Sequence, residues 1–132
     1  MAKKANLTWA DAPAAHDYPA AGDYLQLLAP PVAAEVLTQL LADAPAATKH
    51  AKDILRAARL PLLPRDDAEV AKDVQKAENG QPLSPVLLVR GDLATGRALQ
   101  IADGYHRVCA SYHLSENTEV PCRIIDLPAD AG

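Results

Sequence analysis

The sequence predicts a mixed α/β (α+β) protein in which N-terminal helices precede a small mixed sheet. Several segments before residue 79 are predicted to be helical, with apolar residues at helical spacing over residues 31–42 and 48–59, and after Asn79-Gly80 the spacing changes to that of strands. With 132 residues and 49% hydrophobic content, the chain suits one core, and we assign a single domain to residues 21–132. Residues 1–20 lack both periods and are rich in Ala, Pro and Asp, which predicts a flexible N-terminal arm anchored locally by Trp9.

Four helices are predicted before residue 80, at residues 23–28, 31–42, 48–59 and 66–79. Asp23 and Thr48 are the expected N-caps of the first and third helices, and Asp66 or Asp67 begins the fourth. The second helix starts at Pro31, a residue that the first helical turn tolerates. It carries one apolar stripe at helical spacing, formed by Val32, Val36, Leu37, Leu40 and Leu41.

Apolar runs of strand length follow. Residues 85–90 form a continuous run typical of a strand covered on both faces, and residues 97–102 alternate after a short turn, so together they predict an antiparallel hairpin. A helix over residues 105–114 and a strand over 120–125 come next, and Pro121 indicates the start of that strand or an edge position. Strand, helix and strand together predict a right-handed βαβ unit.

Charge and cysteine content limit the classes of function. The formal net charge of −4 opposes binding of nucleic acid without sequence preference, although a local basic patch could outweigh it. Cys109 and Cys122 lie in apolar surroundings, which predicts buried free thiols in a reducing cytoplasm. The sequence predicts neither a signal region nor a membrane span, so no membrane partner is expected.

The segment Asp103-Gly104-Tyr105-His106-Arg107 stands where the second hairpin strand passes into a helix. Glycine permits an abrupt backbone turn and the close approach of a ligand. The amides of the first helical turn lack intrahelical acceptors, and the positive end of the peptide dipoles favours anions there. Arg107 adds a planar fork suited to phosphate oxygens, and His106 adds a donor that can carry a proton. The pattern therefore predicts a phosphate-type anion site.

Plainer interpretations are open for these and other residues. At the junction, Asp103 would only cap the helix, and His106 and Arg107 would be solvated. Four upstream basic residues could complete a nucleotide pocket, guide a nucleic-acid strand or form an ordinary solvated face; they are Lys52, Arg56, Arg59 and Arg65. Two His and two Cys residues have the residue types of a zinc site, namely His106, Cys109, His113 and Cys122. They lack the closely spaced Cys pairs of structural zinc sites, so we predict no metal.

The pattern G-x-x-R-x-x-A after a strand, preceded by a hairpin and followed by a V-P strand, resembles the ParB/sulfiredoxin superfamily. The match runs through Leu63-Pro64-Arg65, residues 80–86, residues 101–110 and Glu119-Val120-Pro121, roughly the second half of the chain. The whole looks like a short, stand-alone ParB-like protein of the kind found in bacterial genomes. The resemblance implies a ParB/sulfiredoxin-like fold.

The resemblance also implies a nucleotide or phosphate site at the strand-to-helix junction. The phosphate-binding residues that it implies are Gly104, Tyr105, His106, Arg107 and Arg65. The implied ligand is a nucleoside triphosphate with Mg²⁺, which Asp103 would reach. Phosphohydrolase or phosphotransfer activity would then depend on His106 and Asp103.

Departures from the family pattern limit what is carried over. Tyr105 stands where sulfiredoxin-like proteins have their catalytic Cys, so reduction of sulfinic acids is not expected, and Leu63 replaces the family's Asn. No helix-turn-helix module is predicted after the last strand, so centromere-like reading of DNA is not expected. The alternatives are a non-enzymatic accessory or interaction domain, and a nucleic-acid-binding or nuclease-like ParB domain.

Overall fold

The computed structural model describes residues 7–128. Among these residues the helices α1 to α5 span Asp17–Leu25, Pro31–Asp43, Ala51–Ala58, Ala68–Glu78 and Tyr105–Leu114. The strands β1 to β4 span Ala47–His50, Val86–Val89, Gln100–Asp103 and Glu119–Ile125. The predicted mixed α+β class is confirmed.

The four strands form one mixed sheet in the order β1-β4-β2-β3. The predicted hairpin is confirmed, since β2 and β3 pair antiparallel. The predicted βαβ unit is wrong: β3 is antiparallel to β2 and β4 is parallel to β2, so the strands before and after α5 run in opposite directions. In the sheet β4 lies between β1 and β2. All four residues of β2 are buried, so this strand needs a partner on each side, and α5 carries the chain across the sheet to supply the second one.

Helices cover both faces of the sheet. Val86 and Leu88 of β2 pack in the cluster that contains the inner faces of α3, α4 and α5. Leu87 and Val89 point the other way and pack in the cluster of α1 and α2. Because successive side chains of a strand alternate between faces, a strand covered on both faces must be apolar throughout. The prediction made from the uninterrupted apolar run is therefore confirmed.

Strand β1 lies where the sequence predicted the start of a helix. Thr48 is not an N-cap. It lies in β1 and pairs with Pro121 of β4, and α3 begins only at Ala51. Residues 47–50 carry little sequence signal of a strand, because three of their four side chains are exposed and show no alternation. Its backbone satisfies the outer edge of β4, and that demand is set by the sheet and not by local sequence.

Pro121 lies in a central strand, and not at the edge or start that was predicted. Proline lacks the N–H that a ladder requires, so its neighbours must tolerate the loss. The pairing of β4 with β2 begins only at Cys122, whereas its pairing with β1 extends from Glu119 to Cys122. At Pro121 the strand therefore has a partner on one side only, and its position is locally that of an edge.

Helix α1 begins within the segment that was predicted to be a flexible arm, residues 1–20. Residues 1–6 of the predicted arm lie outside the described residues, but Trp9 bridges to Leu83, and α1 already begins at Asp17. The boundary predicted at residue 20 therefore falls inside α1. Asp23 is not a cap but an interior residue of this helix, because Pro19 fits in its first turn and allows the earlier start.

Helices α2 and α4 agree with their predicted bounds within two residues. Asp67 caps α4 by accepting hydrogen bonds from the amides of Glu69 and Val70, at 3.2 and 3.1 Å. The apolar stripe of α2, in contrast, is divided. Leu37 and Leu41 are buried, whereas the other three residues are exposed: Val32, Val36 and Leu40.

Cys109 and Cys122 are buried free thiols, as predicted. Burial raises the pKa of both thiols, so the nucleophilic thiolate form is disfavoured. Among residues 7–128, no helix combines the length and apolar character needed to cross a bilayer.

Candidate functional site

The predicted junction between β3 and α5 is built around Gly104. Its φ angle is 110°, a conformation that favours glycine. A Cβ atom at this position would lie 2.4 Å from Cγ1 of Val86 and 2.8 Å from Nη2 of Arg107. Gly104 is therefore required twice, by its backbone angle and by the close packing of its neighbours.

The first turn of α5 has no side-chain cap among the described residues. Asp103, which a plain interpretation would use as the cap, turns its carboxylate to Arg107 instead. The backbone amide of Val108 bonds to the carbonyl of Gly104 as the helix begins. The junction thus has the uncapped helix start that the sequence predicted.

The guanidinium of Arg107 is engaged inside the protein. Its Nη2 donates to Oδ2 of Asp103 at 2.7 Å, its Nη1 donates to Oγ of Ser84 at 3.0 Å, and Nη1 lies 3.7 Å from Oδ1 of Asp17. The Arg107 side chain is 15% exposed and that of Asp17 only 2%. Two carboxylates therefore balance the charge that was predicted to hold a phosphate, and in this conformation the fork faces inward.

One further carboxylate, that of Asp73, is influenced by the charge of the same guanidinium. Burial raises the pKa of Asp73, and the nearby charge of Arg107 partly opposes that rise. Burial likewise raises the pKa of Asp103, with Arg107 opposing and Asp17 adding to the rise. Two of these acids, Asp103 and Asp17, compensate the charge of the single guanidinium, so Arg107 is less available to an external anion than an unpaired arginine would be.

Replacing Asp73 with Asn is expected to stabilise the protein at neutral pH. A carboxyl group whose pKa is raised by folding binds protons more readily in the folded state, so its stabilising contribution is present below its ordinary pKa of 3.8 and is lost as the pH rises through the folded value. The amide does not ionise and avoids that loss. Thermal unfolding of Asp73→Asn should show a midpoint raised by a few degrees at pH 7, with the difference shrinking toward pH 3.8.

Asp66→Asn is the matched control, because Asp66 is exposed and lies two residues before the start of the same helix. It removes the same charge without relieving burial, so its midpoint should stay near that of the unchanged protein at both pH values. An Asp73→Asn midpoint equal to or below that of the control at pH 7 would contradict a raised pKa of Asp73 in the folded protein.

The other predicted site residues are divided between two ends of α4. His106 is half-exposed, and its Nε2 lies 4.0 Å from Oδ2 of Asp67 at the N-terminus of that helix. The hydroxyl of Tyr105 donates to the carbonyl of Pro61. Arg65 instead pairs with Glu78, the last residue of α4, at 3.6 Å. Residues 103–106 of the predicted site therefore lie together at the junction. The guanidinium of Arg65 is directed to Glu78 and not to the junction.

A second candidate site lies at the other end of β2. A cleft of about 770 Å³ opens between α3, the ends of β2 and β4, and the hairpin turn of residues 91–98. Its apolar lining is formed by Ile54, Ala57, Leu88, Leu93, Leu99 and Ile124. Its charged lining consists of five basic residues and two acidic ones, namely Lys49, Arg56, Arg59, Arg90, Arg97, Asp53 and Asp92.

The walls of this cleft are held in place by backbone contacts. The amide of Leu99 donates to the carbonyl of Ala57 at 3.1 Å and ties the hairpin to α3. A Cβ atom on Gly91 would lie 2.4 Å from the carbonyl oxygen of Arg97, so glycine allows the two arms of the hairpin to approach. Arg59 is the one non-glycine residue with positive φ, 57°, among residues 7–128, and it ends α3 at the rim of the cleft.

Only part of the basic charge in the cleft is neutralised. Arg56 pairs with Asp53 at 3.0 Å, and Arg90 pairs with Asp126. Within the described part of the chain, no carboxylate oxygen lies within 4.0 Å of a charged nitrogen of Lys49, Arg59 or Arg97.

Sequence reasoning missed this cleft as a site. It placed Arg56 and Arg59 in a basic set but joined them to Arg65, which lies elsewhere, and it did not single out Arg90 or Arg97. The available signal was the hairpin itself: Arg90 and Arg97 flank its turn, so an antiparallel pair brings them to the same end of the sheet.

Comparison with known proteins adds no relationship: no family model, curated protein or solved structure matches this chain. The fold itself defines the class, a mixed α+β protein with one four-stranded sheet in the described residues. In residues 7–128 no group of three or more His, Cys, Asp or Glu side chains is arranged to hold a metal ion.

Proposed function

We propose that this protein binds a small anionic ligand of the nucleotide or phosphate type in the basic cleft beside α3. The observation that supports it most is the concentration of five basic side chains around an apolar floor, in a chain whose net charge is −4. Cleft walls of low dielectric focus the field of such a cluster and attract anions. The proposal keeps the class of ligand expected from the sequence and changes its location.

The available cations support binding in the cleft over binding at the junction. Lys49, Arg59 and Arg97 have no carboxylate partner among the described residues, so an anion does not have to displace an internal ion pair. At the junction, in contrast, the charge of Arg107 is already met by Asp103 and Asp17. Guanidinium groups bind phosphate and carboxylate in a two-point geometry, which favours Arg59 and Arg97 as the main contacts.

The size of the cleft also suits a small molecule. Sites for small ligands commonly enclose about 300–1,000 Å³ with a mostly apolar lining and a few polar groups. The cleft, at about 770 Å³, falls in this range, and its floor is formed by Ile54, Leu88, Leu99 and Ile124. A ligand with an apolar or planar part beside its charged group would use both features.

Titration calorimetry with nucleotides, inorganic phosphate and pyrophosphate tests the proposal. The double variant Arg59→Gly/Arg97→Ala should weaken binding of a responding ligand by about tenfold or more, equivalent to about 1.4 kcal/mol. Glycine is chosen at Arg59 because it accepts the positive φ without strain, so a loss of affinity would not reflect misfolding. Thermal stabilisation by the ligand, about 2.7 kcal/mol at 100 times its Kd, should fall in parallel.

Lys72→Ala is the control for loss of positive charge. Lys72 is exposed on α4 and pairs only weakly with Glu69, at 3.7 Å, away from the cleft. Its variant should bind as the unchanged protein does. No response to any of the three ligand classes at millimolar concentration, or equal affinities in the double variant and the control, would refute the proposal. Retention of DNA at near-physiological salt would favour the nucleic-acid alternative.

The junction is a second candidate for the same class of ligand. Two observations favour it: the first turn of α5 has no side-chain cap, and the buried Nε of Arg107 has no hydrogen-bond partner among the described residues. A ParB/sulfiredoxin relationship would place the ligand at this junction. The β2–β3 hairpin that precedes the junction supports such a relationship. The ligand of this candidate site would be a nucleoside triphosphate with Mg²⁺. Its activity would be phosphohydrolase or phosphotransfer chemistry through His106 and Asp103.

His106→Ala distinguishes the two candidates. It should leave binding in the cleft unchanged, because His106 does not line it. If the junction is the site, His106→Ala should weaken nucleotide binding and abolish any Mg²⁺-dependent release of phosphate, whereas Arg59→Gly/Arg97→Ala should do neither.

A further inference from the structure

Helix α2 has two apolar faces, and the fold covers only one of them. The inner face packs through Ala34, Leu37 and Leu41 against the sheet side that carries Leu87 and Val89. On the other side Val32 is 76% exposed and Val36 is 51% exposed, four residues apart and therefore neighbours on the helix surface.

The exposed residues continue into the turn before α2. We call this surface the outer apolar face, and it comprises Leu27, Leu28, Val32, Val36 and Leu40. These are five of the eight large hydrophobic residues that are exposed in the described chain, and they fall within 14 consecutive positions. Scattered exposed aliphatics need no explanation, but such a concentration on one helix and the turn before it indicates an interaction surface.

The charges around this face limit what can cover it. Residues 17–48 contain no Lys or Arg. They do contain Asp23, Glu35 and Asp43, all of which are exposed. These acids stand three or four residues from Leu27, Val32 and Leu40 respectively, the spacing of neighbours on a helix surface. A second copy presenting the same face would bring acidic side chains against acidic side chains, which disfavours self-association through it.

We propose that the outer apolar face docks an amphipathic segment of another protein whose apolar residues are flanked by Lys or Arg. An amphipathic helix would place its aliphatic side chains on those of α2, and its flanking Lys or Arg residues would face the acidic side chains of Asp23, Glu35 and Asp43. The face lies on the side of the sheet opposite α3, so this inference is independent of ligand binding in the cleft.

Two synthetic peptides of equal length test the chemistry of the partner. Both carry leucines at helical spacing; one has lysines and the other glutamates at the flanking positions. Fluorescence anisotropy should show at least about tenfold tighter binding of the lysine peptide, with an affinity that falls as salt is raised. The double variant Val32→Ser/Val36→Ser should weaken binding of the lysine peptide by about tenfold or more.

Leu93→Ser is the matched control, since Leu93 is fully exposed on the hairpin turn, away from α2. It should bind the lysine peptide as the unchanged protein does. Because Val32 and Val36 are exposed, the double variant should also keep its thermal midpoint, which separates lost docking from lost folding.

Equal binding of the two peptides, or of the double variant and the control, would overturn the proposal. So would sedimentation that shows the protein alone to dimerise through this face, with Val32→Ser/Val36→Ser restoring the monomer, because the occupant would then be a second copy.

Discussion

Arg107→Ala is expected to lower the free energy of unfolding by about 3–5 kcal/mol at neutral pH, the cost of leaving buried charge without its partner. The Arg107 side chain is 15% exposed, and its guanidinium joins Asp103 of β3 to Asp17 of α1, whose side chain is almost completely buried. Alanine removes the cation but leaves both acids in place. Urea unfolding followed by circular dichroism measures the change.

The loss should depend on pH. Burial raises the pKa of Asp103, and removing Arg107 takes away the largest opposing influence. The variant should therefore recover toward the unchanged protein as the pH falls toward 3.8, where Asp103 protonates and no longer needs the cation. Because the raised pKa belongs to the folded state, stability is present on the acidic side and is lost as the pH rises.

Two comparisons isolate the ion pairs from the loss of a side chain. Arg65→Ala removes an exposed arginine whose pair with Glu78 is half-solvated, so it should cost less than about 1 kcal/mol. The triple variant Asp17→Asn/Asp103→Asn/Arg107→Leu removes all three charges and should be more stable than Arg107→Ala. A small effect of Arg107→Ala, comparable to that of Arg65→Ala, would show that the network contributes little.

This prediction affects how nucleotide binding should be tested. If Arg107→Ala unfolds the domain, its failure to respond to a ligand carries no information about an anion site at the junction. His106→Ala is the better probe there, because His106 is half-exposed and does not take part in the buried network.

Gly104→Ala is the second substitution with a large expected effect, a loss of about 3 kcal/mol or more. Backbone strain at φ 110° contributes about 1–3 kcal/mol and overpacking about 1–3 kcal/mol more. The added methyl group would overlap Val86 of the central strand and press on the guanidinium of Arg107. Thermal and urea unfolding measure the loss.

Gly96→Ala separates these two causes. Gly96 also has positive φ, 76°, but a Cβ atom there would meet nothing within 4 Å. It should therefore lose only the strain, about 1–2 kcal/mol. Equal losses for Gly96→Ala and Gly104→Ala would mean that the junction relaxes around the methyl group and that close packing there is not required.

Local chemistry made the hairpin, the helix bounds of α2 and α4, and the turn at Gly104 predictable. Each depends on interactions within a few residues: the capping of α4 by Asp67, the apolar run of β2, and the freedom of glycine to take positive φ. The same reasoning could not find β1, because its residues form a strand only when the edge of β4 is present to pair with them.

Local sequence was enough to predict that a strand passes into a helix at Gly104, with an arginine one turn further on. The role of that arginine depends on long-range packing, because Asp17, 90 residues away along the chain, reaches it only when α1 packs beside β3. It likewise decided which half of the α2 stripe is buried and which basic residues share a cleft. Local sequence records the charge and apolarity of each residue, but long-range packing selects which of them meet one another and which remain exposed to solvent.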